Sequence, residues 1–254
     1  MSKNFELMQR VPEGPEVKPF HEVTPALPVG RVNGNGHQGG ASRDLGQLAQ
    51  EESLRLVQRV FLQCAKEPPR AVVFAGIDHG NGSSQICIRM AEVLATNILG
   101  SVCMVDANFR SPSLHEFFGI SNHSGLTDAL IEEGPIRSFG KQLRPEKLWL
   151  LSCGALTAGS SNLMNSDRLR SRFAELRKEF DYILIDAPPL IRYADALALG
   201  ELTDGFVLIL EANSTRRESA LKVTENLRAS NIRVLGVVLN GRTFPIPGSL
   251  YHRL

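Results

Sequence analysis

The chain has 254 residues, of which 43% are hydrophobic and 22% are charged, and its formal net charge is +1. This composition is typical of a globular protein with one sizeable core. The nearly balanced charge gives no electrostatic reason to expect nucleic acid or an anionic membrane as a partner. No apolar run reaches the roughly 18 residues of a membrane helix, and the N-terminus lacks the hydrophobic stretch of a signal peptide. We therefore expect a cytoplasmic protein, which another protein would have to hold at any membrane.

The chain divides by composition into two parts. Residues 1–45 are rich in proline, glycine and asparagine, which predicts a flexible N-terminal segment. Residues 46–254 form the predicted folded domain, which ends in a short arm broken by prolines. Its first helix is predicted over 46–65 from apolar residues at helical spacing, with Glu52 and Arg55 as a surface pair one turn apart.

Strands and helices alternate from residue 71 onward. The strands are near-continuous apolar runs and the helices between them are amphipathic, which predicts an α/β fold with a doubly wound, mostly parallel sheet. Ligands of such sheets bind at the carboxyl ends of the strands. The predicted strands lie at 71–75, 101–109, 147–154, 181–189, 204–212 and 234–241, and the predicted helices lie at 83–95, 114–119, 126–134, 166–180, 194–202 and 215–231.

A glycine-rich turn follows the first of these strands and leads into a helix. This layout predicts a phosphate-binding loop, because glycines let backbone N–H groups turn toward an anion at the positive end of a helix. A turn of this kind also serves as a mere tight connection, so the pattern alone is a weak indication. The candidate nucleotide-binding residues are Gly80, Asn81, Gly82, Ser83, Ser84 and Gln85.

Two further strand ends carry polar residues. Asp106 ends one strand and is followed by Asn108 and Arg110, a set that suits a metal-bound water and an anion. Asp186 ends another strand, where nucleotide sites hold magnesium. Taken alone, Asp106 is equally well explained as a helix cap or turn residue, and Asp186 as the start of a proline-rich turn. Together with the loop, they predict a magnesium site made by Ser84, Asp106 and Asp186 and a catalytic set of Asp106, Asn108 and Arg110.

These motifs resemble the bacterial tyrosine kinases of capsule and exopolysaccharide synthesis, within the ParA/MinD-type P-loop ATPases. The resemblance covers roughly residues 46–243. It is carried by the sequence from Asp106 to His115, by Gly125-Leu-Thr-Asp-Ala-Leu130, by Asp181-Tyr-Ile-Leu-Ile-Asp-Ala-Pro-Pro189 and by Leu235-Gly-Val-Val-Leu-Asn240. It implies a sheet of P-loop NTPase type, ATP or ADP with Mg²⁺ as cofactors, and a membrane-bound polysaccharide co-polymerase or adaptor as a partner. The predicted helix at 46–65 offers a surface for a homo-oligomer. On this reading the chain is the separate cytoplasmic partner.

The chain departs from the family pattern at functional positions. Ser83 stands where the loop of the family has a lysine, Asn108 replaces the second acidic residue, and Tyr251 alone remains of the C-terminal tyrosine cluster. A lysine–phosphate contact is worth roughly 1.5–3 kcal/mol, so its loss should weaken nucleotide binding by about one to two powers of ten. Arg110, Arg216 and Arg217 are candidate substitute cations.

Three hypotheses follow. The first is a degenerate kinase homologue with weak or lost catalysis that acts as a regulatory partner in polysaccharide synthesis or export. The second is an active ATP-dependent tyrosine kinase that uses a substitute cation. The third is a non-enzymatic assembly or positioning scaffold like ParA or MinD. Tyr251 is a hypothetical phosphate acceptor under the second hypothesis.

Overall fold

The computed structural model describes residues 50–62, 67–143, 146–156, 163, 166–193 and 195–241. The predicted flexible segment 1–45 and the predicted C-terminal arm with Tyr251 lie outside these residues.

The described residues form one seven-stranded sheet with the strand order β3-β4-β2-β5-β1-β6-β7. All neighbouring strands are parallel except β3 and β4, which confirms the predicted mostly parallel sheet. The edge strand β3 was not predicted, because its two residues are both exposed and too few to show a periodic pattern. The strands are β1 Ala71–Gly76, β2 Val102–Asp106, β3 Lys141–Gln142, β4 Leu148–Leu151, β5 Tyr182–Ala187, β6 Gly205–Glu211 and β7 Val234–Asn240.

Helices follow most strands, as the amphipathic pattern predicts. The first helix, α1 (residues 50–57), continues into a π-helical turn at Gln58–Leu62 and carries the predicted pair of Glu52 and Arg55 at 2.6 Å. The helix predicted over 126–134 ends earlier, because the backbone turns extended at Glu132. The other helices are α2 Ser83–Asn97, α3 Leu114–Phe117, α4 Leu126–Ile131, α5 Asp167–Glu179, α6 Asp195–Gly200 and α7 Arg217–Ala229, with a 3₁₀ turn at Ile136–Phe139.

The sheet is covered on both faces, because its strands are apolar on both faces. In β1, Val72 and Phe74 point into one core, and Val73 and Ala75 point into the other. The helices α1 and α2 supply the first core, and α4, α5, α6 and α7 supply the second. Burial of this kind stabilises the fold by roughly 25 cal/mol per Å² of apolar surface.

Strand β1 lies at the topological switch point of the sheet, where successive strands begin to be added on the opposite side. Its neighbours are β5 on one side and β6 on the other, with β2 beyond β5. Doubly wound sheets bind ligands outside the carboxyl ends of the strands at such a point. The glycine-rich turn after β1, Asp106 at the end of β2 and Asp186 near the end of β5 all lie there.

Candidate functional site

The glycine-rich turn joins β1 to α2 through two residues with left-handed backbone. Gly80 has φ +81° and Gly82 has φ +80°, a conformation that side chains with a Cβ rarely adopt. At Gly82 a Cβ would also lie 2.3 Å from Nδ2 of Asn240. That Nδ2 donates a hydrogen bond of 2.9 Å to the carbonyl of Asn81. The end of β7 therefore clamps the turn and requires glycine at position 82.

The turn is also held by its own side chains. Asn81 is 3% exposed, and its Oδ1 accepts a hydrogen bond of 2.7 Å from the backbone N–H of Asp78. The carbonyl of Gly82 accepts the N–H of Ile86, which starts the hydrogen bonding of α2. Ser83 is the first residue of that helix and is half-buried, whereas Gln85 is exposed.

Ser84 and Asp186 are in direct contact. The Ser84 hydroxyl donates a hydrogen bond of 2.6 Å to Oδ2 of Asp186, which is fully buried. The other carboxyl oxygen, Oδ1, is buried and has no hydrogen-bond partner among the described residues. Burial, together with the charge of nearby Asp106, raises the pKa of Asp186 well above its ordinary value. An unsatisfied buried carboxyl oxygen beside a hydroxyl fits a Mg²⁺ ion with its bound water, because hard cations prefer oxygen ligands.

Asp106 lies beside Asp186 in the sheet, since the two are paired in register between β2 and β5. Its carboxylate accepts backbone N–H groups from Asn108 at 3.2 Å and from Ser113 and Leu114 at 3.1 Å each. Burial raises the pKa of Asp106 to about 6 against these hydrogen bonds. The structure supports the role of Asp106 at the start of α3, and it places Asp106 beside Asp186, with which it is predicted to share the metal.

Asn108 and Arg110 follow on the loop after β2. Asn108 is 8% exposed, and its Oδ1 accepts the N–H of Ser111 at 3.2 Å, so the side chain shapes a turn. Arg110 is exposed, and its guanidinium lies 4.9 Å from the ring centre of Tyr193. Tyr193 in turn packs edge-on against His79 of the glycine-rich turn at 6.5 Å. Arg110 is thereby connected to the turn through one aromatic ring.

Three residues around the glycine-rich turn have a place in the site that the sequence does not predict. Arg192 forms an ion pair with Asp78 through Nε and Oδ1 at 3.0 Å, and Tyr193 lies between Arg110 and His79. Asn240 is recognisable in the sequence only as the end of the last strand. No sequence pattern marks such contacts, because each joins segments more than 80 residues apart. The other candidate cations, Arg216 and Arg217, are exposed at the start of α7.

Comparison with known proteins supports the P-loop class. No family model matches the chain. The tyrosine-protein kinase YwqD of Bacillus subtilis is 28% identical over 173 residues, which are 68% of this chain and 73% of YwqD. The putative tyrosine-protein kinase CapB of Staphylococcus aureus is 29% identical over 149 residues, which are 59% of this chain and 65% of CapB. Other tyrosine kinases are longer, and the match spans only 22% to 25% of their length.

Solved structures of P-loop proteins have the same fold as this chain. The chimerical protein CapA2B2 superposes with a TM-score of 0.73 at 22% identity, over 78% of this chain and 86% of that one. A ParA family ATPase from Chlorobium tepidum superposes with a TM-score of 0.58 at 16% identity, over 67% of this chain and 73% of that one. The fold is thus that of a P-loop NTPase-like α/β protein.

The relatives found by sequence indicate which P-loop proteins the chain is most like among those compared above. The chain is a homologue of the bacterial tyrosine-protein kinases. Within the described ranges, none of the helices combines the length and the apolarity of a membrane span.

Proposed function

We propose that the protein is a degenerate tyrosine-kinase homologue that regulates capsule or exopolysaccharide synthesis and has weak or no kinase activity of its own. The observation that carries this proposal is Ser83 at the first position of α2. A lysine there would reach the terminal phosphates of a nucleotide, whereas a serine hydroxyl is short and uncharged. The charge of the transition state of phosphoryl transfer develops at the same place, so the rate should fall more than the affinity.

The rest of the site supports retained but weakened nucleotide binding. The left-handed glycines, the Ser84–Asp186 hydrogen bond and the buried pair of Asp106 and Asp186 fit a nucleotide with Mg²⁺. Ser84 and Asp186 would hold the Mg²⁺, which would neutralise phosphate charge when bound. Backbone N–H groups of Gly80–Gln85 would orient the phosphates without a lysine.

The proposed partner is a membrane-bound polysaccharide co-polymerase or adaptor, and a homo-oligomer is a further proposal. The motif resemblance to kinases of capsule and exopolysaccharide synthesis supports this role. The proposed location is the cytoplasm, at the membrane through that partner. Loss of the gene should reduce polysaccharide output, and the wild-type chain should restore it. An unchanged polysaccharide output after deletion would contradict the regulatory role.

The catalytic part needs a separate assay. Purified wild-type protein with labelled ATP and Mg²⁺ should give no more phosphotyrosine than an Asp186→Asn control, with or without the cytoplasmic segment of its partner. Phosphotyrosine that depends on Asp186 would favour the second candidate, an active kinase with a substitute cation. The observation in favour of that candidate is the position of Arg110 and Arg192, each of which is connected to the turn by a direct or ring-mediated contact.

A further inference from the structure

We propose that Arg192 supplies a cation that binds the terminal phosphate of a nucleoside triphosphate at this turn and compensates in part for the absent lysine. The proposal deepens the proposed function and rests on its claim that the site still binds nucleotide. Arg192 belongs to the segment after β5, well away in sequence from the turn, and it was not among the candidate substitute cations.

The backbone fixes Arg192 next to the turn. The N–H of Leu190 donates to the carbonyl of Gly76 at 3.0 Å, and the N–H of Ile191 donates to the carbonyl of Ile77 at 3.2 Å. The chain then turns, with the N–H groups of Arg192 and Tyr193 at 3.4 and 3.3 Å from the carbonyl of Pro189. The segment that carries Arg192 is therefore attached to the first residues of the turn by main-chain hydrogen bonds, which do not depend on side chains.

The guanidinium reaches into the turn itself. Its Nε lies 3.0 Å from Oδ1 of Asp78, two residues after the last residue of β1. The His79 N–H, which donates to the same carboxylate, lowers the pKa of Asp78, and the charge of Arg192 lowers it further. Asp78 is the one acidic residue of the turn, so a phosphate would be repelled there without a neighbouring cation.

The ion pair is exposed and easily exchanged. The side chains are 57% and 47% exposed, and ion pairs of this kind contribute little in water. A phosphate offers more charge than a carboxylate, and a guanidinium binds it with two parallel N–H donors. We infer that Arg192 leaves Asp78 for the terminal phosphate when nucleotide binds.

A second observation is consistent with a ligand at the same turn. Oδ1 of Asp186 is fully buried and has no partner among the described residues, directly beside Ser84 of α2. A Mg²⁺ ion or a water bound to it would satisfy this atom, and the same ion would bind a phosphate at the start of α2. The metal side and the Arg192 side of the turn would then hold one triphosphate between them.

The test is calorimetric titration with Mg²⁺ and either AMP-PNP, a non-hydrolysable triphosphate, or ADP. Wild type should bind AMP-PNP more tightly than ADP. Arg192→Gln should weaken AMP-PNP by roughly tenfold or more, the value expected for one charge-assisted phosphate contact, and ADP by less than about threefold. The matched control is Arg228→Gln at the exposed end of α7, which changes the net charge equally and should alter neither affinity.

A second substitution distinguishes a direct contact between Arg192 and the phosphate from a general effect of charge on binding. Asp78→Asn should tighten AMP-PNP binding in wild type, because it releases Arg192, and should do so much less in the Arg192→Gln background. Arg192→Lys should recover part of the loss. Circular dichroism melts of each variant would verify that the fold is intact.

Several results would overturn the proposal. One is that Arg192→Gln and Arg228→Gln change the affinity for AMP-PNP equally. Another is that Arg192→Gln weakens the binding of AMP-PNP and of ADP by the same factor. A third is that wild type binds neither nucleotide. A loss of binding in Arg110→Gln but not in Arg192→Gln would assign the role to Arg110. The regulatory role is measured separately by polysaccharide output, so a wild type that restores output but binds no nucleotide would end the Arg192 proposal alone.

Discussion

Ser84 of α2 and Asp186 of β5 are joined by a hydrogen bond of 2.6 Å across 102 residues of sequence. This contact ties the start of the helix after the glycine-rich turn to the strand that lies next to β1. The other carboxyl oxygen of Asp186, Oδ1, is buried and has no hydrogen-bond partner among the described residues. The contact therefore joins two of the three residues that the sequence predicts to hold Mg²⁺, and Ser83 lies next to it at the first position of α2.

Removal of the Ser84 hydroxyl should destabilise the folded protein. Ser84→Ala removes the hydrogen-bond donor to Oδ2 of Asp186, and a buried unsatisfied polar group costs about 1–3 kcal/mol. Urea unfolding at neutral pH measures this cost. The control is Ser83→Ala, which removes the neighbouring hydroxyl of the same helix and should change stability by less than about 0.5 kcal/mol. Equal stabilities of the two variants would show that the contact is energetically unimportant.

The clamp between Asn240 and the turn predicts an asymmetry between two glycines. Both Gly80 and Gly82 have positive φ, but only at Gly82 would a Cβ meet Asn240, whereas Gly80 has open space around it. Gly82→Ala should therefore cost about 1–3 kcal/mol more than Gly80→Ala in urea unfolding, because the Asn240 amide must move away from its hydrogen bond to accept the methyl group.

The same clamp predicts that two substitutions are not additive. Asn240→Ala removes the obstructing amide and the hydrogen bond to Asn81, so part of the penalty of Gly82→Ala should disappear in the double variant. A double-mutant cycle by urea unfolding measures this coupling. Strict additivity would mean that the turn relaxes away from β7 without cost.

The buried Asp106 should make stability depend on pH. Burial raises its pKa from the ordinary value of 3.8 to about 6 in the folded protein. The folded state therefore binds a proton more tightly than the unfolded chain. This contribution is fully present below about pH 4 and is lost as the pH rises through about 6, with a total of about 3 kcal/mol for a shift of roughly two units.

Asp106→Asn tests this dependence, because the amide keeps an acceptor for the N–H groups of Ser113 and Leu114 but does not titrate. Between pH 4 and pH 7 the wild type should lose more stability than the variant. Loss of the Asp106 charge also lowers the pKa of Asp186, which makes the stability of the variant still less dependent on pH over this range. Parallel stability curves would contradict the raised pKa of Asp106.

Much of the fold was predictable from the sequence, because the apolar strands of a buried parallel sheet leave a plain pattern. Asp106 and Asp186 were placed at strand ends, and the register of β2 and β5 brings them side by side. Glu52 and Arg55 were paired by helical spacing alone. Periodicity and local spacing contain this information.

The remaining contacts of the site could not be predicted in this way. The approach of Asn240 to Gly82, and that of Arg192 to Asp78, depend on how distant segments meet at the end of the sheet. The three backbone donors to Asp106 arise from the loop that leads into α3, whose conformation has no periodic pattern. These contacts are set by tertiary geometry and become visible only in three dimensions.

The most direct test of the central claim is a titration of wild type and Ser83→Lys with Mg-ADP and Mg-ATP by calorimetry. If the loss of one lysine in an otherwise competent site explains the degeneracy, Ser83→Lys should bind nucleotide about ten to a hundred times more tightly than wild type. The matched control is Thr96→Lys, which adds the same charge at an exposed position near the far end of the same helix and should have little effect. If Ser83→Lys binds no better than wild type, the account is wrong, and a scaffold that does not use nucleotide becomes the better explanation.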